Sequence, residues 1–233
     1  MTIPCALVTL IHYDASNQPL VVYRTEHKEA GMSHKFYDLT FSSNVKAVQE
    51  QYGIRKHFSK FEGGEPDFYG LGDAESDFIE ERDGFYFATV GLEGQPYIQY
   101  RGGPRGFLKV LDDRTLGFAD FRGNLQYISV GNLRANDKAA IFLMDYVNQR
   151  RLKILARAEV KDAGLVPDLI EKLKMPNYKA KVERAMLLHV EAFDWNCPQH
   201  ITPRYTMDEI RQMNAPLYET IERLEKQLAG SKK

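Results

Sequence analysis

Cysteine is scarce: Cys5 and Cys197 are the only two in 233 residues, and neither sits in a CxxC pair or a Cys/His series. Structural zinc and a disulfide scaffold are therefore set aside, and a reducing compartment such as the cytoplasm fits. Charge of one sign is not in excess. The 31 basic and 32 acidic side chains give a formal net charge of −1, so no global field draws in nucleic acid or an anionic membrane, and any anion must be met by a local cluster. Long apolar runs are absent too, since nothing reaches the roughly 20 residues of a membrane-spanning helix. The run Ala6 to Ile11 lacks the preceding basic region and the small cleavage-site residues of a secretion signal. No internal repeat occurs, and only Gly230-Ser231-Lys232-Lys233 reads as a frayed tail.

What is present is the balance of a globular chain, 43% hydrophobic and 27% charged, long enough for one well-buried core with peripheral helices. The 13 tyrosines and 13 phenylalanines suit core packing better than a base-stacking platform, which also needs a positive groove.

Residues 1–31 form an extension with two β-like runs, Leu7 to Tyr13 and Leu20 to Arg24, around the turn-prone stretch Asp14 to Pro19. They read as a hairpin, or as a segment upstream of a biological start at Met32. Residues 32–83 are a helical lead-in. Val45, Val48 and Tyr52 recur at helical spacing behind an N-cap at Ser42 or Ser43, and Ala74 to Arg82 offers Phe78 and Ile79 as an apolar face. Between them Gly63-Gly64-Glu65-Pro66 interrupts.

Residues 84–205 are rich in strands. Phe85 to Val90, Pro96 to Arg101, Gly106 to Leu111 and Thr115 to Phe121 are joined by Glu93-Gly94, Gly102-Gly103-Pro104 and Asp112-Asp113, the pattern of an antiparallel meander. A helix is expected over Asn124 to Asn136, then a strand pair Ala139 to Tyr146 and Arg151 to Val160, a short helix after Pro167, and a closing strand Ala185 to Trp195. The fold class is mainly β with peripheral α, a barrel rather than a parallel α/β sheet. Residues 206–233 read as an amphipathic helix. Thr206 and Glu209 have capping-box spacing, and Ile210, Met213, Leu217, Ile221, Leu224 and Leu228 form a stripe suited to the protein's own core or to a twin subunit.

Two junctions concentrate donors. Arg101 to Val110 brings three cations and three glycines around a turn, and glycine admits a close backbone approach while Arg and Lys meet phosphate with charge-assisted bonds. Ala119 to Leu133 runs from a strand end into a helix start, where unpaired N–H groups and the helix dipole favour an anion, and Arg122, Asn124 and Gln126 add donors. Each has a plainer explanation, a solvated hairpin in the first case and an Asn124 helix cap in the second.

The stretches FYFATVG from Phe85, GQPYIQYRGGPRGFLKVLD from Gly94, TLGFADFRGNLQYISVGNL from Thr115 and AAIFLMDY from Ala139 resemble the FMN-binding split β-barrel of the pyridoxamine 5′-phosphate oxidase-like flavoproteins. The resemblance implies an antiparallel, Greek-key-like split barrel with flanking helices, FMN as cofactor, and a homodimer with the flavin at the subunit interface. It implies that the strand bearing Phe107, Leu108, Lys109 and Val110 lies along the isoalloxazine ring, and that Arg101, Lys109, Arg122, Asn124 and Gln126 take the phosphate and ribityl chain, with Ser129 and Asn132 nearby. The stretch Asp194 to Tyr205 resembles the tail motif of the same family, which makes Trp195, Gln199 and Arg204 wall or substrate contacts and His200 a candidate proton donor. No metal is implied. Gly123-Asn124-Leu125-Gln126 stands where the true oxidase carries Ser-Arg-Lys, so the expected function is an FMN-dependent oxidoreductase of unknown substrate. The alternatives are a flavin carrier without turnover, or a barrel that holds deazaflavin or haem instead.

Overall fold

The computed structural model describes residues 9–13, 19–23, 32–63, 65–66, 70–195 and 199–230. Cys5, Cys197, the turn after Tyr13, Gly64 and the terminal Ser231-Lys232-Lys233 lie outside them. The chain forms two compact units that divide between residues 67 and 68, inside the stretch expected as one lead-in.

In the first unit β1 (Thr9–Tyr13) pairs antiparallel with β2 (Pro19–Tyr23) as the expected hairpin, and β3 (Met32–Ser33) makes a short parallel bridge to β4 (Glu65–Pro66). Between these bridges run α1 (Lys35–Thr40), α2 (Ser43–Gln51), α3 (Arg55–Phe58) and a single 3₁₀ turn, Ser59–Phe61. Ser42 caps α2, its Oγ accepting from the Val45 N–H at 3.4 Å. Tyr37, Phe41, Phe58 and Phe61 stack or meet edge to face at 4.7–6.1 Å, the geometry aromatic quadrupoles favour.

The second unit begins with α4 (Asp73–Glu80), which buries Phe78 and Ile79. Seven strands follow: β5 (Gly84–Val90), β6 (Pro96–Gly102), β7 (Lys109–Asp112), β8 (Thr115–Phe121), β9 (Lys138–Asp145), β10 (Arg150–Asp162) and β11 (Val182–Trp195). α5 (Ile128–Ala135) lies between β8 and β9, α6 (Pro167–Leu173) between β10 and β11, and α7 (Met207–Gly230) ends the chain. The strands form one sheet in the order β6-β5-β9-β10-β11-β8-β7, every pair antiparallel. This is a split β-barrel with flanking helices.

Period-2 burial sets its inside. Phe85 and Phe87 on β5, Leu116 and Phe118 on β8, Ile141 and Leu143 on β9, Leu152 and Ile154 on β10, and Met186 and Leu188 on β11 are almost wholly buried in one core. Each such side chain contributes roughly 1.5–3 kcal/mol relative to exposure. A smaller core behind the sheet joins α6, through Ile170 and Leu173, to Ala119 and Ala185.

Two expectations need correction. The four strands from Phe85 to Phe121 are not a meander, because β6 and β7 stand at opposite edges of the sheet. The segment between them is no tight turn: it inserts Phe107 and Leu108 into the core, 2% and 0% exposed, with the Phe107 ring stacked 5.6 Å from Phe85. Gly103 makes room, since a Cβ there would stand 2.7 Å from the Phe107 ring. The helix expected over Asn124 to Asn136 begins only at Ile128, because Leu125 and Tyr127 adopt positive φ of 66° and 53° and hold the chain in a loop.

Candidate functional site

Asp120 is the more deeply buried of two buried barrel carboxylates among the described residues, the other being Asp145 at the end of β9. Asp120 follows Leu116 and Phe118 on the inward face of β8 and is 1% exposed. An isolated carboxylate there would be strongly disfavoured, and two guanidinium groups compensate it: Arg101 Nη1 donates to Oδ1 at 2.5 Å and Arg184 Nε to Oδ2 at 2.8 Å. Arg101 comes from β6 at one edge of the sheet, whereas Arg184 stands opposite Asp120 on β11. A charged clamp thus joins the edge strand β6 to β8 and β11, from which the backbone ladder leaves it apart. Burial pushes the Arg101 guanidinium below its ordinary value despite Asp120. For Arg184 burial also acts downward, but the bonds to Asp120 and Glu183 outweigh it and the net direction is up. The opposite directions of two partners of one carboxylate reflect depth. Both remain cations, since the guanidinium group does not lose its proton in proteins.

The clamp continues along β6. The Gln99 amide, oriented by its neighbours, accepts from Arg101 Nε at 2.7 Å and donates to Ser129 Oγ and Tyr97 Oη at 3.2 Å each. Ser129 is buried at the start of α5, and one turn on Asn132 donates to Thr89 Oγ1 at 3.0 Å. Arg101, Ser129 and Asn132 are therefore brought to one wall of the barrel, but each is engaged with protein rather than presented outward.

The loop 122–127 presents donors to water. Arg122 is 47% exposed and meets Glu183 at 3.4 Å. Asn124 Oδ1 accepts from the Gln126 N–H at 3.1 Å, and its Nδ2 donates to Gln126 Oε1 at 3.2 Å. No side chain caps α5, which leaves its leading N–H groups without a side-chain partner at the end where the helix dipole favours an anion. Leu125 and Tyr127, bulky residues at positive φ, mark backbone strain of the kind that clusters at ligand sites. The Arg184 guanidinium lies 4.9 Å over the Tyr127 ring. From Tyr127 an open groove of about 820 Å³ runs between α5 and β10, past Val130, Arg134, Val160 and Lys161, within the size range of small-molecule sites.

The remaining expected site residues fall elsewhere. Phe107 and Leu108 bury their side chains in the core, Lys109 Nζ donates to the Gly106 carbonyl at 3.4 Å, and Val110 packs against the core. Trp195, at the end of β11, packs on α4: its Nε1 donates to Glu75 at 2.7 Å and its ring meets Phe78 edge to face at 4.7 Å. Gln199 and His200 are exposed, His200 with a φ of 64°. Arg204 lies 4.9 Å over the Tyr146 ring. Tyr146 shares a 3.4 Å hydroxyl contact with Tyr86, whose ring meets Tyr100 at 5.6 Å. Gly84 lets the Tyr100 ring cross the strand, because a Cβ would stand 1.8 Å from its hydroxyl.

Asp120, Gln99, Arg184 and Tyr127 were not expected at the site. A signal for Asp120 exists, as an acid in phase with Leu116 and Phe118 on a strand must bury its charge and so demands cations from other strands. Nothing local announces Arg184.

The chain is similar to several solved structures. HupZ of Group A Streptococcus is 18% identical, with 58% of this chain and 99% of that one covered at a TM-score of 0.42. A Clostridium acetobutylicum protein of the pyridoxinephosphate oxidase family, related to general stress protein 26, is 16% identical over 59% and 94% of the two chains, at 0.40. An FMN-binding protein from Syntrophomonas wolfei subsp. wolfei is 12% identical over 66% and 98%, at 0.41. No curated protein matches the sequence. The family model described as pyridoxamine 5′-phosphate oxidase matches residues 71–193, more than half of the chain and nearly all of the barrel, and the chain belongs to that family.

Proposed function

We propose that this protein binds FMN and serves as an oxidoreductase, acting as a cytoplasmic homodimer with the flavin near the subunit interface. The observation that carries the reading is the donor loop itself: within the family-matched barrel, Arg122, Asn124 and Gln126 immediately precede the uncapped start of α5, and the next residue, Tyr127, lines the groove. That donor set fits a phosphate monoester, which needs a guanidinium, amide N–H groups and a helix N-terminus.

Arg122, Gln126 and the leading N–H groups of α5 would hold the phosphate, and Asn124 would keep Gln126 in place. Arg101, Lys109, Ser129 and Asn132 take a supporting part in this reading, since each makes a polar contact within the barrel. Arg184 and Tyr127 form the wall where the loop meets the groove. When bound, the flavin would supply the two-electron transfer, and the protein's part is to orient it and set its surroundings.

Adding FMN to the purified protein, desalting, and recording the visible spectrum tests the reading. Retained flavin absorbance is expected, and Arg122→Ala should weaken binding ~10- to 150-fold, the loss of one direct charge-assisted contact. A protein that takes up no FMN ends the cofactor assignment. Retained FMN that no electron donor reduces faster than free flavin would favour a carrier over an enzyme.

A further inference from the structure

α7 finds no cover for its apolar stripe among the described residues. Of its residues 207–229 only Glu209 and Asn214 are less than exposed, while Leu217 and Leu228 stand 62% and 65% open to water. A helix of this length carrying such a stripe needs another surface to bury it.

The stripe has a definite period. Ile210, Leu217 and Leu224 recur every seven residues, and so do Met207, Asn214, Ile221 and Leu228. The first set occupies the d positions and the second the a positions of three heptads, with Asn214 as the one polar member. We propose that α7 pairs with the α7 of a second copy of this chain, as a parallel, in-register two-stranded coiled coil.

Three features select that partner. Asn214 at an a position meets its own twin only in a parallel, in-register pair, where the two amides can bond. Any other register sets a buried amide against methionine, leucine or isoleucine, with no amide to bond. Branched Ile221 at a with Leu217 and Leu224 at d is the two-stranded preference. The flanking e and g positions hold only two charges, Arg211 and Glu225, both at e. No like charges therefore face each other across the seam, while Glu219, Glu222, Arg223 and Lys226 occupy the outward b, c and f positions.

The helix is built for this use. Its start is fixed by a capping box, in which the Thr206 N–H donates to Glu209 Oε2 at 2.7 Å and the Glu209 N–H to Thr206 Oγ1 at 3.2 Å. Pro216 falls at a c position, and the carbonyl its missing N–H would have bonded belongs to Gln212 at f. The defect thus faces water and leaves the seam whole. From the present exposures of the seam side chains, the pair would bury on the order of 1,500 Å² in total, within the range of stable interfaces. The inference is independent of flavin binding.

Cysteine crosslinking in the full-length protein tests it, with Cys5→Ser and Cys197→Ser as background and near-UV circular dichroism as the check on folding. Single variants Ile210→Cys and Leu228→Cys, near opposite ends of the helix, should each form disulfide-linked dimers on mild oxidation, at least tenfold faster than Glu219→Cys on the outer face. Rates at 210 and 228 no greater than at 219 would overturn the coiled coil. Crosslinks that form only when the 210 and 228 variants are mixed would overturn the parallel register.

Discussion

Asp120 in the barrel and Glu62 in the first unit are each held by two cations, and they differ in everything that surrounds the pair. Glu62 receives Arg55 through both oxygens, at 2.5 and 2.7 Å, and Lys46 at 2.7 Å, all from the same short run of chain. Asp120 reaches 19 residues back to Arg101 and 64 forward to Arg184. The Glu62 side chain keeps 12% of its surface in water and Asp120 only 1%. A local clamp of this kind ties neighbouring helices, whereas a buried clamp made from distant strands exists only once the barrel has formed, and its loss leaves charge stranded in the core.

The largest effect should follow from removing the buried member. Asp120→Ala leaves two guanidinium groups without their carboxylate and is expected to cost about 3–5 kcal/mol. In a unit of this size that corresponds to a melting temperature lower by roughly 6–20 °C. Calorimetry should place the loss in the barrel transition, and a change below about 1 kcal/mol would show that the clamp is dispensable.

Glu62 offers a smaller effect that depends on pH. The hydrogen bond from Arg55 comes first, with Lys46 in support, and together they hold its carboxyl down to about 2 against an ordinary 4.5. A depressed acid stabilises the fold fully above its unfolded value and loses that contribution as pH falls through the folded one. The first unit should therefore weaken between about pH 4.5 and 2. Glu62→Gln, costing about 1 kcal/mol at neutral pH, should flatten that part of the acid titration, as followed by helical circular dichroism. An unchanged acid profile would detach Glu62 from the stability of its unit.

Arg122 sharpens the contrast from the other side. It lies two residues beyond Asp120, yet it is 47% exposed and meets Glu183 at only 3.4 Å, so Arg122→Ala should shift stability by less than about 0.5 kcal/mol. A large melting shift would make it structural and weaken its candidacy for phosphate. The smallest expected effect concerns the tyrosine cluster. Burial, with Asp83 and Tyr86 nearby, raises the Tyr100 phenol above its ordinary 10, and the Tyr86 hydrogen bond with burial raises Tyr146. Ultraviolet titration should find two phenols that ionise late, and Arg204→Gln should delay Tyr146 further, because the nearby guanidinium favours the phenolate.

Much of the architecture was legible in the amino-acid order. The strand runs at Gly84–Val90 and Thr115–Phe121, the Ser42 cap, the Thr206 and Glu209 capping box and the C-terminal apolar stripe are short-range patterns, and a backbone with fixed periods reads them directly. The donor loop was legible for the same reason, as a strand end followed closely by a helix.

The partners were not. The sequence by itself determined which strand residues of β5 face inward, where α2 and α7 start and which loop gathers donors, because those properties depend on neighbours within a turn or a strand. Only the tertiary structure decided that Arg101 meets Asp120, that Phe107 and Leu108 enter the core, that Trp195 bonds Glu75, and that β6 and β7 stand at opposite edges. Those outcomes rest on contacts between segments far apart in the chain, and strand order, which brings them together, follows from how the whole sheet closes around its core.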